Sequence, residues 1–172
     1  MFDIITFGSA TKDVFLRSKE NVVLESDKFP TGKGVCFSLG SKIKTDEVYI
    51  TTGGGGTNTA ATFAKQGFNV AYCGKVGRDE AGEGVLKDLE HYKVNTDLVS
   101  STDEKPTNHS VIIDVQGIDR TILVYRGASD FHSKKDISFE DLNSKWFYLA
   151  PFSSSSEALF YDLLEHAALK NI

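Results

Sequence analysis

The stretch Glu47-Val48-Tyr49-Ile50-Thr51-Thr52 runs into Gly53-Gly54-Gly55-Gly56-Thr57-Asn58, which opens into Thr59-Ala60-Ala61-Thr62-Phe63-Ala64-Lys65-Gln66 and stops at Gly67. The first part reads as a strand and the alanine-rich third part as a helix, about Asn58 to Gln66. Consecutive glycines leave a backbone without Cβ atoms, so a ligand can come close to it. The amides at the start of the following helix can donate to ligand oxygens. Asn58 adds a side-chain amide that both donates and accepts, which suits hydroxyl groups. A connecting turn with no other role is the competing reading of the glycines. For Asn58 the competing role is that of helix N-cap.

Two phosphate loops do not fit. Gly32-Lys33 is followed by Gly34 and Gly74-Lys75 by Val76, so no G-x-x-x-x-G-K-[ST] occurs. A G-x-G-x-x-G read from Gly53 ends on Asn58, and from Gly54 on Thr59, which argues against a nicotinamide-binding oxidoreductase. The 172 residues are 40% hydrophobic and 25% charged, with net charge -5. That is enough chain for one domain with a core, and no basic block supports a nucleic-acid surface. Cys36 and Cys73 lack metal or disulfide spacing, and Cys73, in Val70-Ala71-Tyr72-Cys73, reads as a small buried residue. His91, His109, His132 and His166 are scattered, so no metal site is expected. With no apolar stretch of spanning length and no secretory leader in the sequence, the expectation is a cytoplasmic protein without membrane contact.

Along the chain, Ile4 to Gly8 reads as a short strand ended by Gly-Ser, and Val14-Phe15-Leu16 as extended. Glu20 to Gly34 is a turn-rich excursion with weak strands, and Val35 to Leu39 and Lys44 to Thr52 alternate as half-exposed strands do. Asn69 to Val76 is a strand. Asp79 caps a helix with Val85, Leu86, Leu89 and Tyr92 at helical spacing. Ser110 to Val115 and Arg120 to Tyr125 form a hairpin about Gln116-Gly117-Ile118-Asp119. Ser138 and Asp141 resemble a capping pattern. Trp146 to Ala150 is a strand, Pro151 to Ser156 a loop, and Glu157 to Lys170 a helix with Leu159, Leu163, Leu164 and Ala167 on one face. Alternating strands and helices predict an α/β layered fold with a parallel core, and the hairpin strands predict a small separate sheet.

The run Gly54 to Gly77, with Asp79 and Gly82 after it, closely resembles the first motif of the ribokinase-like, or PfkB, family of carbohydrate kinases. Asp3 to Ser9 followed by Asp13 resembles the family's opening strand and sugar-contacting aspartate. Pro106-Thr107, Ser110 to Asp114 and Arg120 to Ala128 resemble its paired strands. The resemblance implies a Rossmann-like parallel core under a β-sheet lid, with residues 1–172 the N-terminal part of one domain and lid strands from about 12–52 and 108–126. It implies substrate binding by Thr11, Lys12, Asp13, Gly54, Gly55, Gly56, Thr57 and Asn58. Arg126 could pair with an acidic group of the substrate or be a surface arginine. The loop Phe152-Ser153 would face the sugar, where some members carry an acidic residue.

The family's Gly-Ala-Gly-Asp, which supplies the catalytic base, and its Asn-x-x-Glu, linked to magnesium, do not occur in these residues. The expectation is therefore the acceptor-sugar half of a kinase whose base lies beyond Ile172. ATP and Mg2+ would serve the whole protein and not this chain alone. A natural half-length binding module without catalysis is the alternative, and a homodimer through the lid is an implied partner.

Overall fold

The computed structural model describes residues 1–172. Two compact units emerge, one from Met1–Lys12, Thr52–His109 and Tyr125–Ile172, the other from Asp13–Thr51 and Ser110–Val124.

The first unit is built on four strands, β1 (Phe2–Phe7), β6 (Val70–Gly77), β7 (Val99–Thr102) and β10 (Ser144–Leu149). Their order is β10-β1-β6-β7 and every pairing is parallel. Parallel strands need crossovers, and helices α1 (Gly55–Lys65), α2 (Glu80–His91) and α3 (Glu157–Lys170) lie along the chain between or after them. β6 shows why its apolar run is unbroken. Val70 and Tyr72 join Ala60, Val85 and Leu89 in one buried cluster, while Ala71 and Cys73 join Ile5, Phe7, Leu159 and Leu163 in another. A strand buried on both faces reads as continuously hydrophobic. The thiol of Cys73 is pushed up to about 12 by burial, which makes it an inert packing residue.

The second sheet has the order β5-β2-β8-β9, from β5 (Glu47–Gly53), β2 (Thr11–Arg17), β8 (Asn108–Val115) and β9 (Asp119–Tyr125). β8 and β9 are joined by a turn in which Ile118 N–H donates to Val115 O at 3.0 Å and Gly117 has φ +78. A connection this short between neighbouring strands makes them an antiparallel hairpin. Arg17 ties three strands together through Glu47 at 2.8 Å and Asp114 at 2.5 Å. A further pair, β3 (Val22–Glu25) and β4 (Lys33–Cys36), is antiparallel.

The parallel core with its separate small sheet matches the expected fold class. Several local expectations are corrected. α1 begins at Gly55, not Asn58, because Gly54 at φ 108 already serves as N-cap and Asn58 N–H donates to Gly54 O at 3.0 Å. The strand expected over Val35 to Leu39 is β4 at Lys33–Cys36, and Ser38 to Ser41 turns instead. The strand expected from Lys44 starts at Glu47, since Lys44 N–H is held by Glu20 Oε2 at 3.1 Å. Ser138 makes no side-chain cap, and the turn after it closes through Asp141 N–H to Ser138 O. The reciprocal cap lies upstream, where Ser133 N–H and hydroxyl both donate to Asp136 Oδ2. Leu164 does not share the buried face of α3 and is 45% exposed. Strand β7 carries too polar a sequence, Val-Ser-Ser-Thr, to be read as a core strand, yet its ladder with β6 forms an edge.

Candidate functional site

Strands β10 and β1 end side by side, and the chain leaves them through Ala150-Pro151-Phe152 and Gly8-Ser9-Ala10. The crevice beyond the carboxyl ends of parallel strands is where open α/β sheets bind ligands. A cavity of about 510 Å³ lies here, walled by Gly8 and Ser9 of the β1 exit, by Arg126, Ser129, Asp130 and His132, and by Pro151 to Ser156.

The glycine run packs against the same exit. Gly55 N–H donates to Ser9 Oγ and Gly56 N–H to Ser9 O, each at 3.1 Å. A Cβ on Gly56 would stand 2.6 Å from Tyr72 Cε2 and 3.0 Å from the Gly8 backbone. These glycines therefore admit another segment of backbone, and two of the amides expected to face a ligand already have acceptors. Thr57 is buried, with its hydroxyl on Gly53 O at 2.6 Å. Asn58 stands exposed and its side-chain amide makes no hydrogen bond.

Tyr72 hydroxyl donates to Gly8 O at 2.9 Å, and burial pushes its phenol far up, so it stays neutral. Ser129 accepts from Ala10 N–H at 3.1 Å and donates to Lys75 O at 2.8 Å. Asn108 Oδ1 accepts from Gly127 N–H at 2.9 Å and Ser129 N–H at 3.2 Å, and its Nδ2 donates to Asp130 Oδ1 at 3.3 Å. Asn108, Ser129, Asp130 and His132 were not singled out from the sequence as binding residues. For Ser129, Asp130 and His132 the only signal was their position just after Arg126-Gly127-Ala128.

Arg126 lines the cavity with 67% of its side chain exposed, 3.6 Å from Asp130. His132 is 3% exposed and its Nε2 has no partner. Burial holds its imidazole down to about 4, with Asp136 opposing that shift and Lys75 adding to it. Phe152 and Ser153, expected to face a ligand, line the same cavity.

Asp13 belongs to the second unit, on β2. Burial raises its carboxyl above the usual range and a hydrogen bond with Ser110 of β8 partly offsets this. Its Oδ1 is buried and has no hydrogen-bond partner. Thr11 is buried and Lys12 extends its Nζ toward Gly84 of α2. Asp79 is the helix cap expected, accepting from Gly82 N–H at 2.8 Å and also from Thr107 N–H and hydroxyl. His109 bonds Thr107 O at 2.8 Å, and His166 packs on Phe139 and Phe147. No three metal-ligating side chains stand together, and no helix is long and apolar enough to cross a membrane.

The family model described as pfkB family carbohydrate kinase matches residues 7–171. A ribokinase of Bacillus subtilis (strain 168) is 32% identical over 131 residues, which is 76% of this chain and 39% of that protein. Among solved structures, the ribokinase of Giardia lamblia superposes with TM-score 0.77 at 18% identity, over 98% of this chain and 51% of that one. The ribokinase of Arabidopsis thaliana, complexed with ribose and ATP, gives TM-score 0.66 at 24% identity over 86% of this chain and 45% of that one. The chain thus spans about half the length of these structures, and less of the curated relative.

Proposed function

Because the chain belongs to the pfkB family of carbohydrate kinases, we propose that it forms the acceptor-sugar side of an ATP-dependent kinase that phosphorylates a sugar hydroxyl. The observation that carries this reading is Asp13, whose Oδ1 is buried without a donor. An unpaired buried carboxylate oxygen is costly, and a structure retains one where a ligand completes it. A carboxylate accepts from two hydroxyls at once, and a sugar offers neighbouring hydroxyls. In this reading the free amide of Asn58 contacts a further hydroxyl, Arg126 approaches the far end of the ligand, and Thr11, Lys12, Gly54, Gly55, Gly56 and Thr57 shape the backbone around it.

A sugar hydroxyl must lose a proton as it attacks the γ-phosphate, so the reaction needs a base and positive charge on the phosphates. We assign base, ATP and Mg2+ to parts of the whole kinase outside these 172 residues, and expect this chain alone to bind sugar without turning over ATP.

The test is calorimetric titration of a neutral pentose into the chain and its Asp13→Ala variant. Loss of a charge-assisted hydrogen-bond pair predicts affinity weakened about tenfold or more. Unchanged affinity in the variant would remove Asp13 from the site.

A further inference from the structure

Strand β10 ends the parallel sheet and pairs with β1 alone. Phe2 lies level with Ser144, and its N–H donates to Asn143 O at 2.9 Å. Alternation along a parallel ladder then turns the N–H and C=O of Lys145 and Phe147 toward β1, and those of Trp146 and Tyr148 outward to the free edge. The side chains of Trp146 and Tyr148 stand on the α1 face, where Tyr148 meets Phe63 edge-on at 5.5 Å and Phe63 meets Phe68 at 6.2 Å. This corner of the sheet is uncovered. A groove of about 370 Å³ lies between Ile4, Phe63, Phe68 and β10. Trp146 is 70% exposed, Phe68 45% and Tyr148 40%. On the other face Phe147 packs under α3. Lys134 holds Asp162 on the flank of α3 toward β6, to which Asp136 of the same turn is tied through Lys75. Leu164, 45% exposed, therefore lies on the opposite flank, toward the free edge of β10.

An apolar shelf along an open strand edge is a surface that another protein covers, and its features select the partner. The one charged side chain of β10, Lys145, is already neutralised by Asp3 at 2.7 Å, so like charges do not hold copies apart. The opposite end of the sheet, β7, reads Val-Ser-Ser-Thr and offers no shelf, so head-to-tail stacking would leave the aromatics unmatched. Self-pairing matches them. We infer that the 172-residue chain pairs with a second copy of itself through β10, antiparallel about a two-fold axis at Phe147. In that register Trp146 of each copy lies opposite Tyr148 of the other, their outward N–H and C=O groups exchange hydrogen bonds, and their side chains share one face. The two grooves close on one another, and Leu164 meets its counterpart on the other face. At about 200 Å² per large side chain, Trp146, Tyr148, Phe68 and Leu164 offer roughly 400 Å² per copy, and the paired strands add to this toward the roughly 800 Å² each partner gives a standard interface.

The test is sedimentation velocity together with the fluorescence of Trp146, the chain's one tryptophan, on the same dilution series. A dimer should form as concentration rises, and the Trp146 emission should move to shorter wavelength in step with it. Trp146→Lys, a change on a largely exposed side chain, should leave urea unfolding of the dilute monomer unaltered and weaken dimerisation about tenfold or more. Tyr148→Lys should weaken it to a similar degree from the other half of the pair, and Leu164→Lys about threefold. A chain that stays monomeric at every concentration, with unshifted Trp146 emission, overturns the pairing. A dimer that survives both β10 variants and is lost in Leu123→Lys sits on β9 and overturns it as well. So does growth beyond the dimer, since pairing through β10 closes after two copies.

Discussion

Strands β6 and β9 carry similar apolar runs and meet opposite fates. Val70-Ala71-Tyr72-Cys73 of β6 is buried throughout, whereas Ile122-Leu123-Val124-Tyr125 of β9 is exposed at every residue. β6 lies inside a parallel sheet with α1 and α2 on one face and the α3 cluster on the other. β9 is the last strand of its sheet. An apolar run records the affinity of a segment for a dry environment, and the neighbours decide whether that environment is supplied.

The contrast can be broken by mutation and by pH. The largest effect should come from Tyr72→Ala, which empties a fully buried aromatic site and leaves Gly8 O without its donor. It should cost about 4 kcal/mol in urea unfolding. A cost near zero would mean that the interior beside β6 can collapse around the loss.

Next comes acid. His132 is held near 4 in the folded chain against 6.5 when exposed, so the unfolded state binds the extra proton between these values. This contribution is fully present above about pH 6.5 and is lost as pH falls toward 4, to a total of about 3 kcal/mol. Urea midpoints measured across that window should fall, and His132→Leu should flatten the profile. An unaltered slope in the variant would show that water reaches the ring.

Gly56→Ala tests the close approach of α1 to β1. Its methyl would meet Tyr72 at 2.6 Å, and overpacking of this kind costs about 2 kcal/mol. A neutral outcome in thermal melting would return the glycine run to a role in ligand approach alone. The smallest effect belongs to Leu123→Ala on β9, which is 55% exposed and should change stability by about 0.5 kcal/mol or less. A loss as large as that of Tyr72→Ala would show β9 covered in solution, and a dependence of that loss on protein concentration would identify a second copy as the cover.

Much of the local structure was legible because it lies in short patterns. Asp79 with Gly82 three residues on spells a helix cap, and the structure makes that bond. The bounds of α3, Glu157–Lys170, were set by a serine loop before it and its own helical spacing. Asp13 and Arg126 could be marked as candidates because the segments that carry them resemble the family's opening strand and paired lid strands. Asn108, Ser129 and His132 could not, since their roles depend on partners far along the chain. Ser129 bonds Ala10 across 119 residues, and no periodicity records such a pairing.

The sequence by itself determined the α/β class, the strand–glycine–helix unit and the family resemblance, because backbone preferences and side-chain periodicity act over a few residues. Only the tertiary structure decided what the glycines pack against. They let α1 press against Gly8 and Ser9, and the amides of Gly55 and Gly56 bond Ser9. It also decided which carboxylate oxygen and which imidazole nitrogen were left without partners, Asp13 Oδ1 and His132 Nε2. Burial and hydrogen-bond satisfaction are set by every segment that surrounds an atom, and those segments come together only in the fold.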